Sequence, residues 1–321
     1  MNRQGYPDQT SGQDGANAAP SLFAPAFDIL QSGADGEGPA SALVFSSPHS
    51  GSVYPESFLA ASRLDPLTIR RSEDAFVDEL FAGAIHTGAP LLRAHFPRAY
   101  LDVNREPYEL DPRMFDGRLP AGSNTRSVRV AGGLGTIARI VGEAQEIYHS
   151  SLPVAEAINR IETLYRPYHR ALRDLLDLAW RRHGAAVLVE CHSMPSSAWL
   201  SAANRQDEAH RADFILGDRY GTSCHPGISA WLETALEAMG YSVRRNKPYA
   251  GGYITETYGA PAMGVHAIQI EINRNLYMDE ARLEKHGGFA VIARDLEKLA
   301  IRLNDFVAAQ YIRPQGAAAA E

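Results

Sequence analysis

Apolar positions along the chain follow two rhythms. Short dense runs at "ALVFSS" (42–47), "APLLRAHF" (89–96) and the apolar half of "AAVLVECHSMPS" (186–191) have the length of buried strands. "VHAIQIEIN" (265–273) alternates, with Ile268, Ile270 and Ile272 on one face and Gln269, Glu271 and Asn273 on the other. Between these runs the period lengthens to that of a helix. Phe76, Val77, Leu80, Phe81, Ala84 and Ile85 share one face over 74–86, and Ile137, Ile140, Val141, Ala144, Ile147 and Tyr148 do so from 136 to 148. A longer stripe runs through Val154, Ile158, Ile161, Leu164, Tyr168, Leu172 and Leu175, with Pro167 expected to kink or break the helix. Helices at 229–239 and about 280–309 and a short strand at 241–243 complete the pattern. Alternating strands and helices predict an α/β fold, a three-layer α/β/α sandwich around a mixed, largely parallel central sheet.

Polar residues cluster where those strands end. His49 follows the first strand, Asp102, Asn104 and Arg105 follow the second, and Glu190 and His192 close the third. Glu271 lies near the end of the fourth. Open α/β sheets bind ligands outside the carboxyl ends of their strands, so these groups are expected to face one crevice. Two imidazoles and one carboxylate with an open position form the donor set of many catalytic zinc sites. His49 and His192 are the natural imidazoles, and "RRSEDAF" offers Asp74 or Glu73 as the acid, the shorter Asp74 being preferred. Glu271 suits a general base toward an activated water. Arg105 suits bidentate capture of a carboxylate. Each has a plain structural alternative: a hydrogen-bonded core histidine, an N-cap at Asp74, a solvated strand face at Glu271, an ion pair between Arg105 and Asp102 or Glu106.

Composition narrows the function class. The 321 residues are 45% hydrophobic and 21% charged, with a net charge of −7, which argues against a nucleic-acid footprint. No apolar run reaches membrane-spanning length. Two cysteines, Cys191 and Cys224, build no disulfide framework and point to a reducing, cytoplasmic compartment. Residues 1–21 and 313–321 read as disordered tails, leaving one continuous domain over 22–312. "GLGTIA" (133–138) matches a dinucleotide fingerprint, but the region about 20 residues on, where that reading wants an acidic strand end, is helical in pattern. Cys191 and His192 are adjacent on a strand and face opposite sides, so Cys191 is expected in the core. Glu190 shares the side of His192 and is a candidate partner for an imidazole N–H. "PYAGGYITETYG" (248–259) reads as a lid or a surface hairpin.

The blocks "SSPHSG" (46–51), "RSEDAFVDELF" (71–81), "FPRAYLDVNREPYELDP" (96–112), "YRPYHRAL" (165–172), "ECHSMPS" (190–196) and "HAIQIEINRNLYMDE" (266–280) stand in an order that resembles the N-formylglutamate amidohydrolase family. "GGLGTIARIV" (132–141), "GDRYGTSC" (217–224) and "NKPYAGGYITETYG" (246–259) extend the resemblance over nearly the whole domain. The family is similar, more distantly, to zinc carboxypeptidases and aspartoacylases. The resemblance implies one Zn²⁺ on His49, Asp74 (or Glu73) and His192, with Glu271 as base. It implies Asn104 and Arg105 as a carboxylate clamp and gives Arg98 the place of an additional substrate arginine. The expected reaction is hydrolysis of N-formyl-L-glutamate to formate and glutamate, a step of histidine breakdown. Related N-acyl amino acids or small peptides are the alternative substrates. A non-catalytic carboxylate-binding homologue is the other alternative, although every candidate ligand and the base are present. In the carboxypeptidases the first His and the acid lie within one helical turn, whereas His49 and Asp74 are far apart in this chain.

Overall fold

The computed structural model describes residues 22–32, 39–142, 144–199 and 212–312. The tails expected at 1–21 and 313–321 lie outside the described residues. Seven strands form the central sheet: β1 (Phe27–Leu30), β2 (Leu43–Ser47), β3 (Leu91–Ala94), β4 (Ala186–Met194), β5 (Phe214–Gly217), β6 (Val243–Arg245) and β7 (Val265–Asn273). Their spatial order is β1-β3-β2-β4-β7-β5-β6. β1 runs antiparallel to β3 and β5 antiparallel to β7, while the other pairs are parallel. The mixed, mostly parallel sheet expected from the sequence is therefore present. All nine residues of β4 are buried, as a central parallel strand covered on both faces requires.

Alternation along β4 assigns its two faces. Leu188 joins one apolar layer, under the helices α1 (Val154–Arg160) and α2 (Arg166–His183). Val187, Val189 and Cys191 join the other, under α3 (Pro226–Ala238) and, after the short helix α4 (Tyr253–Tyr258), α5 (Phe289–Gln310). Cys191 is thus a core residue, as expected. Glu190 and His192 fall on the α2 side. Among the described residues no helix is long and apolar enough to cross a membrane.

Four expectations need correction. Residues 136–148 form no helix. The Thr136 N–H donates to the Glu109 carbonyl and the Asp102 N–H donates to the Thr136 carbonyl, so long-range partners take the backbone groups a helix needs. Ile137, Val141 and Ile147 are buried from irregular chain and a small hairpin, Ile140–Val141 with Gln145–Glu146. Over 74–86 the helix starts only at Val77, because Phe76 takes a left-handed conformation (φ 65°), and it gives way at Phe81 (φ −94°, ψ 1°) to a 3₁₀ segment, Ala82–Thr87. Pro167 does not break its helix. A π-turn at Ile161–Tyr165 joins α1 to α2, and its wider spacing absorbs the missing N–H. The closing helix starts at Phe289, the preceding residues being spent on a hairpin, Met278–Asp279 with Glu284–Lys285.

A long excursion between β3 and α1 covers one flank of the sheet, and Arg160 pins it. Arg160 is 3% exposed and lies 3.6 Å over the Tyr100 ring. It donates to the Tyr100 carbonyl, the Tyr148 hydroxyl and the Glu156 carboxylate. Arg160→Ala leaves the Tyr100 carbonyl without this donor and removes a buried guanidinium from between the rings of Tyr100 and Tyr148, and is expected to lower stability by about 3 kcal/mol, read as a shifted urea midpoint at unchanged slope. An unaltered midpoint contradicts this role.

Candidate metal centre and substrate cavity

The strand register sets the centre. His192 of β4 pairs directly with Glu271 of β7, and Glu190 pairs with Gln269, so these four side chains share one face near the carboxyl ends. His49 stands on the turn after β2, two residues beyond its end. Asp74 reaches the same point because its N–H donates to the His49 carbonyl at 3.0 Å, which ties the two turns together.

Asp74 Oδ2 lies 2.9 Å from His192 Nδ1 and 3.4 Å from His49 Nδ1, and the two rings are 4.9 Å apart. His49 Nε2 donates to Asp102 Oδ1 at 2.8 Å, and His192 Nε2 lies 3.1 Å from Glu190 Oε1. His192 Nδ1 donates to Asp74 Oδ2, and a cation taking the place of that proton would face both Nδ1 atoms and the Asp74 carboxylate. His49 Nδ1 is buried without a hydrogen-bond partner among the described residues. The group His49, Asp74 and His192 could hold a metal ion. Imidazoles backed by carboxylates are the usual outer shell of such a site. The electrostatics agree. Burial works against charge, but Glu190 and Asp74 push His192 up to about 10, and the imidazoles hold Asp74 well below the usual carboxylate range. The environment therefore favours positive charge between these groups.

Between the two candidate acids the geometry distinguishes clearly. Glu73 faces away, gripped by Arg70 at 2.9 and 3.1 Å. Asp74 is not a helix cap by its side chain; its Oδ1 takes Arg274 Nη2 at 3.0 Å and lies 3.4 Å from the Ser193 hydroxyl.

A cavity of about 240 Å³ opens over this centre. His49, His192 and Glu271 form its floor, and Arg98, Arg105 and Arg129 stand in its wall. Burial, opposed chiefly by His192, pushes Glu271 up to about 7, and Gln269 Nε2 donates to its Oε1 at 2.8 Å. Arg98 donates to Asp102 Oδ2 at 2.8 Å, with Arg105 Nη2 at 3.6 Å from the same oxygen. Burial alone would raise Asp102, yet Arg105, His49 and Arg98 hold it well below its ordinary value. Asn104 Oδ1 accepts the Ile254 N–H at 2.8 Å, and its Nδ2 lies 3.4 Å from His192 Nε2.

The loops that carry these groups are themselves held. Tyr165 donates to the Arg105 carbonyl at 2.7 Å and His169 Nε2 to the Val103 carbonyl at 2.8 Å, so "YRPYHRAL" props the 102–105 turn. Burial takes His169 down to about 4, which keeps it neutral in that role. The 248–259 segment is not a hairpin; it is a turn lining the cavity followed by α4. A Cβ on Gly252 would lie 2.3 Å from Asn104 Oδ1, so only glycine lets the turn approach that side chain. In "GLGTIA", a Cβ on Gly135 would lie 2.2 Å from the Glu109 carbonyl. That glycine serves close backbone packing and opens no helix, which removes the dinucleotide reading.

Sequence reasoning missed two contributors, Arg274 and Arg129, and the role of a third. Asp102 stood beside Arg105 as an ion-pair partner, and nothing local tied it to His49. Arg274 follows the end of β7 directly, a position that could have flagged it. Arg129 lies in chain with no strand end nearby. His266 is buried at the opposite end of β7, near His225 and Tyr311, away from the centre.

Comparison with known proteins follows this geometry. Residues 41–278 match the family model described as N-formylglutamate amidohydrolase. An N-formylglutamate deformylase of Pseudomonas putida is 31% identical over 245 residues, covering 74% of this chain and 82% of that protein. The deformylase of Pseudomonas aeruginosa is 28% identical with the same coverage of both chains. The crystal structure of an N-formylglutamate amidohydrolase from Ralstonia eutropha JMP134 superposes with a TM-score of 0.81 at 38% identity, over 88% of this chain and 99% of that one. A gene product of Agrobacterium tumefaciens shares the fold at 17% identity, with a TM-score of 0.55 over 88% of this chain and 96% of that one. With the family model spanning most of its length and His49, Asp74, His192 and Glu271 all inside the matched region, the chain belongs to the N-formylglutamate amidohydrolase family.

Proposed function

We propose that this chain is a Zn²⁺-dependent amidohydrolase that cleaves N-formyl-L-glutamate, or a close N-acyl amino acid, at its amide bond. The observation that carries the reading is the convergence of three buried donors, His49 Nδ1, Asp74 Oδ2 and His192 Nδ1, beside Glu271 under a guanidinium-walled cavity. Such a donor set suits zinc and leaves a coordination position open. Zn²⁺ held there supplies Lewis acidity, polarising the scissile carbonyl and lowering the pKa of water in the site. The names of the Pseudomonas and Ralstonia relatives supply the first-choice substrate.

The chain's own groups do the remaining work. Glu271 takes a proton from the attacking water as its oxygen bonds to the formyl carbon. The same carboxyl then delivers that proton to the leaving amine nitrogen as the C–N bond breaks, giving formate and glutamate. Gln269 fixes the rotamer of Glu271 through one oxygen and leaves the other for the transfer. Asn104 and Arg105 hold a substrate carboxylate, and Arg98 faces charge that develops on the carbonyl oxygen. Asp102 and Glu190 orient the two imidazoles. Cys191 and Cys224 are free and buried, which suits a cytoplasmic setting.

His192→Ala is expected to lose both bound zinc, about one per chain in the wild type, and formylglutamate hydrolysis. Full zinc retention in that variant, measured by elemental analysis, contradicts the centre. Glu271→Gln is expected to keep the zinc and lower kcat by roughly 10²- to 10⁴-fold; a variant of near wild-type kcat removes the base assignment. The base works as its carboxylate, and burial has raised its pKa, so protonation takes activity away as pH falls. The kcat/KM profile is therefore expected to carry an acid limb at or below about 7, falling roughly tenfold per pH unit. A flat profile down to the ordinary glutamate range argues against Glu271.

A further inference from the structure

Arg129 has no task in the reaction as described, although it stands in the cavity wall with Arg105. It sits on the one-turn helix Val128–Ala131. Arg98 and Arg105 are drawn to Asp102, whereas Arg129 is held loosely. Its ion-pair contact among the described residues is Glu109 Oε2 at 4.0 Å, too long for the short contacts of a bidentate pair. Glu109 is 2% exposed, and that same oxygen has no hydrogen-bond partner. Its other oxygen takes the Ser127 hydroxyl, and Ser127 caps the helix by accepting the Val130 N–H at 3.0 Å. Glu109 therefore lies behind Arg129 as a buried counter-charge that orients the guanidinium without saturating its N–H groups. The Arg129 side chain remains 39% exposed.

Leu134 links the two arginines. The Leu134 N–H donates to the Arg129 carbonyl at 2.7 Å, and the Leu134 carbonyl accepts Arg105 Nε at 3.0 Å. The Gly-Leu-Gly turn thus ties the Arg129 backbone to the Arg105 side chain, and both arginines line the same cavity. Two guanidiniums lining one cavity match a substrate with two carboxylates. An N-acyl amino acid has one at its α-carbon, and only an acidic one has a second on its side chain.

We propose that Arg129 is a specificity-determining residue that binds the side-chain carboxylate of an acidic N-acyl amino acid, while Arg105 holds the α-carboxylate. The assignment rests on the amidohydrolase reading and adds to it the group that tells glutamate from glutamine. The test compares kcat/KM for N-formyl-L-glutamate and N-formyl-L-glutamine in the zinc-loaded wild type, Arg129→Gln and Arg129→Lys. The wild type is expected to prefer formylglutamate. Arg129→Gln should lose roughly 30- to 100-fold on formylglutamate, mainly through KM, and stay within about threefold on formylglutamine. Arg129→Lys should recover part of the loss, with zinc content unchanged in both variants. Equal losses on the two substrates mean a structural role and overturn the assignment, as does a variant with no loss or a wild type without preference. A wild type that hydrolyses neither substrate overturns this proposal together with the amidohydrolase reading, whereas equal losses overturn Arg129 alone.

Discussion

Asp74 places a carboxylate, 1% exposed, at the meeting point of three chain segments, and the site is arranged around what that burial costs. Desolvating such a group costs several kcal/mol, to be recovered from nearby donors. One oxygen takes Arg274 from the end of β7 and approaches Ser193 on β4, and the other faces His192 and His49. These four contacts come from three strand ends, so satisfying one acid ties together the ends of β2, β4 and β7. The pairing of His192 with Glu271 across β4 and β7 then sets the position of Glu271 relative to that acid. A wrong placement of any strand end leaves a buried charge without its partners.

The wall over this centre is built from irregular chain and needs external support. Asp102, Asn104 and Arg105 lie in a turn with no ladder to hold it, and α2 supplies the ladder's substitute through Tyr165 and His169. Arg160 fastens the turn's upstream side through the Tyr100 carbonyl. The π-turn before α2 adds a residue to the helix just ahead of Pro167 and His169. The proline is therefore compatible with one continuous rod along which these props are spaced.

How much of this the sequence revealed follows from backbone regularity. The alternation of "VHAIQIEIN" gave the face of Glu271, and the parity of β4 put Glu190 with His192 and Cys191 in the core, because a strand's period of two is rigid. The preference for Asp74 rested on a short side chain at the start of a helix, whereas the helix starts only at Val77, and it is Arg70 that turns Glu73 away. Residues 136–148 failed the same method. Their apolar spacing imitates a helix, yet the backbone bonds to Glu109 and Asp102 from a distance, and periodicity carries no record of such partners. The tie of Asp102 to His49 and the place of Arg129 were illegible for the same reason, as their partners come from distant turns.

Charge is layered around the cavity, and the order of the layers matters more than the totals. The wall facing the cavity is rich in guanidinium, with Arg98, Arg105 and Arg129 against the single carboxylate of Glu271. The other acids stand one step back: Asp102 behind His49, Glu190 beside His192, Glu109 behind Arg129. A wall of bare arginines would repel any cation at the His49–Asp74–His192 centre, and the acids behind it offset that repulsion at short range. A wall of bare acids would repel an anionic substrate. With cations in front and anions behind, one cavity can accept both a metal ion at its floor and a carboxylate-bearing substrate above it. A substrate lacking its second carboxylate still has to displace water from these arginines, and it offers no charge in return. Under the proposed function, discrimination between acidic and neutral N-acyl amino acids would arise from desolvation of the wall as much as from the contacts made.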